Sequence, residues 1–498
     1  MTSENPVSGH QRFAAHLTSD EFRRQGYAVI DWIAGYQDRV ETMPVRSRVQ
    51  PGDIAAGLPL EPPAGGEDIL ALLADMDEIV MPGITHWQHP SFFAYFPANV
   101  SGPAILGDLL SSGLGVQGML WATSPAATEV ETRVMDWFAE LLGLPARFRS
   151  TGTGGGVIND TASTAVLTIL VAALHRASGG RARTEGLDGR YTVYCSAEAH
   201  SSIDKAVLAA GVGTNQLRHI PTLTPGGPMD VDALERALAA DVAAGFRPTL
   251  VVAAVGATGT GAVDPVADIV EVAHRFGAWV HVDAAWAGVA AVAPELRGRL
   301  NDGLGLVDSY ATNPHKWLLT NFDCDALYVA DRTALTGALT LTPEYLRTAQ
   351  SDAGAVIDYR DWHLQLGRRF RALKLWAVLR HYGADGLSAH VRSGIALADR
   401  LADALAGDDR IRVTHHFLGL VCLHVNTGLG VAADNAATTA LMHAINDSGA
   451  AYLSHTVCDG RTLLRVAVGT PTTAAEHIDA LARLLTDGVP AALAAATA

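Results

Sequence analysis

Thr249-Leu-Val-Val-Ala-Ala-Val255, an apolar-periodic stretch from Val266 to Phe276, and Ala278-Trp-Val-His-Val-Asp283 together decide the fold. The outer two runs are short, apolar and rich in β-branched residues, which is the pattern of buried strands. The middle run repeats its apolar residues at helical spacing. A strand, a helix and a second strand in succession form a βαβ unit, so the two strands are parallel. The rhythm extends in both directions. Tyr191 to Cys195 reads as a strand with a helix near Ser202 to Ala210, and Ser309 to Thr312 and Ala326 to Ala330 read as further strands. The expected class is therefore α/β, a mostly parallel sheet covered by helices, with functional groups just beyond the C-terminal strand ends. His200, Asp283 and Lys316 fall at such places.

Lys316 is informative because the chain has three lysines among its 36 basic residues. Arginine is always protonated and cannot form an imine, whereas a desolvated lysine loses its proton and attacks carbonyls. Lys316 lies in Asn313-Pro-His-Lys-Trp317, between a strand and an apolar run. Lys205 and Lys374 sit in helix-like contexts and read as solvated ammonium groups.

Gly152-Thr-Gly-Gly-Gly156 reads as a glycine-rich turn, followed by Thr161, Ala162 and Ser163 at the start of an apolar helix from Ala165 to about Arg176. Free N–H groups and hydroxyls at a helix start suit a phosphate; a structural turn with a capped helix fits the same residues. No Gly-Lys-Ser/Thr follows, which excludes a P-loop.

Elsewhere, Thr18 to Glu21 is a capping box opening a helix through about residue 39, and Glu67 to Ile79 reads as a second helix. A helical layer with so little core of its own needs another domain or subunit to pack on. His86-Trp87-Gln88-His89-Pro90 begins an aromatic cluster that lacks the further ligands of a zinc site. Residues 340 to 357 show no periodicity and read as a lid. A helix through about Tyr382, another from Ser388 to Ala406, and strands near Ile411 to Thr414, Leu420 to Asn426, Ala451 to Val457 and Thr462 to Val468 complete a smaller, antiparallel C-terminal region.

A hydrophobic content of 49% allows a large core, and the net charge of −16 argues against nucleic-acid binding or an anionic membrane surface. Four dispersed cysteines fit reduced core thiols. With no signal-peptide-like start and no membrane-length apolar run, the expected location is the cytoplasm.

An imine-forming lysine, an anion-binding helix start, a strand-end aspartate and a strand-end histidine are the parts pyridoxal phosphate requires. Lys316 would bind its aldehyde, Thr161 and Ser163 its phosphate, and Asp283 its ring nitrogen, with His200 stacked on the ring.

The same residues carry a resemblance. Asn313-Pro-His-Lys-Trp317, His281-Val-Asp-Ala-Ala285, Gly154-Gly-Gly-Val-Ile158, Ala199-His-Ser-Ser202, Asp358-Tyr-Arg-Asp-Trp362 and Gly367-Arg-Arg-Phe370 resemble the group II pyridoxal-phosphate decarboxylases, specifically aromatic L-amino-acid decarboxylases. Residues from Trp87 to Phe370 follow the family's order. The resemblance implies fold type I, with an N-terminal helical segment (1–101) packing across a homodimer, a large seven-stranded domain (102–385) and a small C-terminal α+β domain (386–498). It implies a cofactor set of Lys316, Thr161, Ala162, Ser163, His200, Thr258, Asp283, Ala285, Asn313 and His315. Catalytic work would fall to Lys316, Asp283, His200 and Tyr345, with Arg360 and Arg368 flanking the lid. Trp87, Phe96, Pro97, Ala98, Met119, Trp121 and Gly367 would line the substrate pocket. The implied reaction converts tryptophan, phenylalanine, tyrosine or dihydroxyphenylalanine to the amine and CO2, without metal. The retained His200 and Tyr345 favour amine over the alternative, oxidative conversion to an aromatic aldehyde. Three positions depart from the pattern: Ala257 where a hydroxyl is expected, Ala98 for a threonine, and Met119 for an aromatic residue.

Overall fold

The computed structural model describes residues 16–341, 346 and 348–497. The chain separates into two compact units, Met1–His89 and Pro90–Ala498.

In the first unit, α1 (Ser19–Arg39) starts at the expected capping box: Thr18 accepts from the Glu21 N–H, and the Glu21 carboxylate accepts from the Thr18 N–H at 2.7 Å. α2 (Ile69–Asp75) is capped by Asp68, whose carboxylate also binds Arg24 of α1 at 2.7 Å. The His86 ring bonds the Tyr36 hydroxyl at 3.1 Å, so it serves packing within this unit.

The second unit begins with two helices capped by serines, α3 (Gly102–Leu114) and α4 (Pro125–Leu141). The expected Gly-rich turn ends at Gly154, and from Gly155 the run is a strand, β1 (Gly155–Asn159), buried at every position. It runs antiparallel to a later strand, and its glycines exist for close approach: a Cβ on Gly156 would lie 2.6 Å from the Tyr328 ring. Glycine runs resemble turns in sequence; only the neighbouring strand explains these. From there the chain alternates: α5 (Ala162–Ser178), β2 (Tyr191–Ser196), α6 (Ser202–Ala209), β3 (Leu217–Ile220), α7 (Val231–Ala243), β4 (Arg247–Ala254), α8 (Val266–Arg275), β5 (Trp279–Asp283), β6 (Ser309–Thr312) and β7 (Asp325–Val329).

These strands form one seven-stranded sheet in the order β1-β7-β6-β5-β4-β2-β3. β6 through β3 are parallel, while β7 pairs antiparallel with both β6 and β1. One apolar cluster, including Val251, Val280 and Tyr310, lies on one face; another, with Val252, Trp279 and Leu327, lies under α5 and α6 on the other. Alternation along β4 and β5 sorts the residues between them.

α9 (Ala372–Leu405) carries a break at Gly383, where φ is +61°, so the two helices expected here meet at one residue. It leads to an antiparallel sheet of β8 (Ile411–Phe417), β9 (Leu420–Val425), β10 (Ser454–Cys458) and β11 (Arg461–Ala467), covered by α10 (Val431–Ser448) and α11 (Ala475–Thr497). The strand expected from Ala451 starts at Ser454 instead.

Lys374 is not solvated. Its side chain is 1% exposed and its ammonium bonds Asp108 of α3 at 3.2 Å. A Cβ on Gly107 would sit 2.7 Å from the Lys374 Cα, so α3 crosses α9 close enough to bury the lysine. Helical periodicity could not reveal this, because α3 lies far away in sequence. All four cysteines are free and buried, and no described helix is long and apolar enough to cross a membrane.

Candidate functional site

A cavity of about 230 Å³ opens at the C-terminal ends of β4, β5 and β6. Lys316, Thr161, Ala162, Ser163, His200, Thr258, Asp283, Ala285, Asn313 and His315 all line it, joined by Ala257, Trp286 and Phe322. Strand endings bring them together. Asp283 ends β5, His200 precedes α6 after β2, and Asn313 follows β6, bonded through its N–H to the Ala285 carbonyl at 2.8 Å. Pro314–Trp317 forms a single helical turn that lifts Lys316 into the cavity.

Burial pushes the Lys316 amine below its ordinary pKa, opposed by Asp283 and Asp325 nearby. The His315 imidazole is driven down to about 3, chiefly by burial and then by the Lys316 charge, so it stays neutral. Its Nδ1 accepts from the Cys324 N–H at 2.9 Å, which leaves Nε2 to carry the proton. His200 has the same arrangement at the cavity mouth, with Nδ1 accepting from the Ser202 N–H at 3.1 Å and burial beneath it lowering its pKa. Asp283 is fixed by the Ala285 N–H at 3.0 Å.

The cavity suits pyridoxal phosphate on its own terms. Thr161 is the N-cap of α5 yet spends no side-chain hydrogen bond on the helix. The first N–H groups of α5 have no intrahelical partner, so Ala162 and Ser163 offer donors and a positive helix end to an anion. Asn313 Oδ1 is buried without a partner among the described residues.

The expected substrate residues do not converge on this cavity. Phe96 stands behind its wall, stacked on Trp286 at 4.1 Å, and Pro97 is buried beside Gly469. Ala98 is half-buried next to them. Met119 gives its carbonyl to the Arg360 N–H, Gly367 is exposed, and Trp121 lines a larger cavity of about 670 Å³ with Trp137 and Trp376. Trp87 belongs to the N-terminal unit. Tyr345 lies outside the described residues.

Arg368, expected beside the lid, is buried in a 2.6 Å ion pair with Glu131, and Glu131 also accepts from the Ile158 N–H. It fastens β1 to α4. Arg360 is buried as well.

Two residues were missed by sequence reasoning. Arg465 of β11 lines a second cavity of about 390 Å³ that shares His200 and Thr258 with the first. Its Nε bonds the Gly259 carbonyl, its Nη1 bonds Ser454, and Nη2 is buried without a partner. Asp325 opens β7, fully buried. In sequence, both look like ordinary strand residues.

The family model of the pyridoxal-dependent decarboxylase conserved domain matches residues 51–426. Tryptophan decarboxylase 2 of Oryza sativa subsp. japonica is 40% identical, with 96% of each chain covered. Phenylacetaldehyde synthase of Arabidopsis thaliana is 41% identical, covering 95% of this chain and 96% of that one. Among solved structures, Oryza sativa TDC with PLP and tryptamine superposes with a TM-score of 0.92 at 42% identity, covering 96% of this chain and 99% of that one.

Proposed function

The chain belongs to the pyridoxal-dependent decarboxylase family, and from that premise we propose that it removes the carboxylate of aromatic L-amino acids to give the arylalkylamine and CO2. One observation carries the reading: a buried lysine held toward its neutral form shares one cavity with a strand-end aspartate and an uncommitted helix N-terminus. Relatives named for tryptophan and tyrosine support an aromatic substrate.

When bound, the cofactor supplies an electron-withdrawing ring for the electrons released as CO2 leaves. Lys316 would anchor it, Asp283 would hold a proton on its ring nitrogen, the α5 N-terminus with Thr161 and Ser163 would take the phosphate, and His200 would lie against the ring. His315 stays neutral and offers Nε2–H. Arg465, lining the second cavity that shares His200 and Thr258 with the first, supplies a cation near the substrate carboxylate. Tyr345 is the proposed proton donor to the substrate carbon, from a lid that excludes water.

The three-part division at 101 and 385, the homodimer and the cytoplasmic location belong to the same proposal. Exposed leucines 106, 109, 110 and 114 along α3 give a second copy an apolar face to cover.

The test is product analysis by mass spectrometry for the holoprotein with single aromatic L-amino acids, with oxygen uptake followed in parallel. Amine without oxygen uptake is expected; aldehyde with peroxide would assign the oxidative reaction instead. Tyr345→Phe is expected to divert product toward aldehyde, and an unchanged amine yield removes its proton-donor role.

A further inference from the structure

Asp325 opens β7 at the cavity end of the sheet, wholly buried, and neither carboxyl oxygen has a hydrogen-bond partner among the described residues. No role assigned above uses it. Strand register fixes its neighbours: Asn159 of β1 is its antiparallel partner, and the Thr312 to Ala326 pairing carried one residue on sets Asn313 on its other side. Each neighbour also keeps one buried atom unpartnered, Asn159 Nδ2 and Asn313 Oδ1. Directly opposed residues share a face of the sheet, so three strand ends present a donor, a carboxyl group and an acceptor in a row.

Their valences select a protonation state. A carboxylate supplies only acceptors and leaves Asn313 Oδ1 without a donor. None of these atoms bonds another directly, so the link runs across one bridging water on each side, and a carboxylic acid accepts on the Asn159 side and donates on the Asn313 side.

The electrostatics agree. The charged groups facing Asp325 are Asp283 from β5, Asp160 beyond β1 and Lys316 from the turn after β6. Burial and then the two aspartates raise its pKa well above the carboxylate range, opposed by Lys316 alone. Its chain neighbour Cys324 stays a thiol, pushed up to about 12 by burial. A neutral acid near a lysine that burial holds toward the amine fits a dry site better than two charges lacking hydrogen bonds.

We propose that Asp325 is a positioning residue of the cofactor site, a protonated acid that holds Asn313 and the turn bearing Lys316 while adding no negative charge near the anionic cofactor. The inference rests on the cavity seating pyridoxal phosphate. At alkaline pH the acid gives its proton to solvent and becomes a carboxylate. Asn313 then loses its donor, a new charge repels the phosphate, and the cofactor loosens.

Asp325→Asn tests this, since the amide is neutral, similar in shape and still able to donate to Asn313. Infrared spectra of the holoprotein are expected to show a protonated-carboxyl C=O band, shifted in D2O and missing from the variant. Cofactor release from the holoprotein, followed by its visible absorbance during dialysis at stepped pH, gives the second readout. Near neutral pH both proteins are expected to release at the same rate, and at alkaline pH the wild type about tenfold faster than the variant. Absence of a band that the substitution removes, or parallel alkaline release curves, overturns the proposal. If the asparagine variant does not fold, Asp325→Ser, also neutral and able to donate, is expected to give the same slower alkaline release. Wild-type protein that binds no pyridoxal phosphate at neutral pH would overturn the cofactor assignment itself, a result distinct from both.

Discussion

The cofactor cavity and the set of residues expected to hold the substrate ring are built on opposite principles. Every residue expected to hold the cofactor sits at or just after a strand end or at a helix start beside one sheet, so the register of β1, β7, β6, β5, β4 and β2 places them together. The substrate set lies on loops and is spread over a wall, a second cavity and the exposed surface. Sheet hydrogen bonds fix positions to fractions of an ångström, whereas loops take their positions from whatever covers them. The residues proposed for the cofactor are thus held by the sheet, while those expected to meet the substrate are held by loops.

Substitutions test that contrast, the largest effects coming from the sheet. Lys316→Ala is expected to remove the visible absorbance of bound cofactor and to lower turnover by ~10⁴-fold or more. Asp283→Asn should retain cofactor while lowering kcat by roughly 10²–10³-fold, the usual scale for one electrostatic group. A variant at either position that decarboxylates normally would break the comparison at its strongest point.

Next comes the fastening of β1. Arg368→Ala leaves Glu131 buried without its partner, and the expected loss of stability is about 3–5 kcal/mol, read by chemical denaturation of the holoprotein. A loss below about 1 kcal/mol would show that β1 is held by its strand pairing alone.

Acid should loosen the same framework. Burial holds His281 at about 4, and His315 and His363 at about 3, all below the ordinary histidine value. Unfolded chains therefore bind protons that the folded protein refuses, and stability falls as pH drops below about 6.5 toward these values. The slope is about 1.4 kcal/mol per pH unit for each histidine. Thermal midpoints measured from pH 7.5 to 5 check it, and a flat profile would deny that these rings are neutral in the fold.

The remaining effects are smaller. Arg465→Gln is expected to raise KM about tenfold with little change in kcat, about 1.4 kcal/mol of substrate binding. Met119→Phe and Gly367→Ser should shift the preference among aromatic substrates by about tenfold or less, measured as ratios of kcat/KM. A loop substitution that abolished turnover outright would erase the distinction between the two regions.

Much of this was legible from residue order. Apolar runs of strand length and helical spacing gave the α/β sheet, and chemistry-bearing residue types just after those runs marked Lys316, Asp283, His200 and the start of α5. Reading failed where a residue's role depends on a strand or helix distant in the chain. The start of β1 passed for part of a turn because Gly156 answers to Tyr328 of β7. Lys374 passed for a surface residue because Asp108, which buries it, comes 266 positions earlier. Arg465 and Asp325 passed for ordinary strand residues.

The sequence by itself determined the order of elements, the family and the choice of Lys316 as the candidate lysine, since periodicity and motif spacing are local properties of the chain. Tertiary structure alone decided which polar groups lose their water and which find partners. It left Asp325, Asn313 and Arg465 buried with unused hydrogen-bonding capacity. Desolvation and hydrogen-bond satisfaction depend on what surrounds an atom in space, and only the folded packing specifies that.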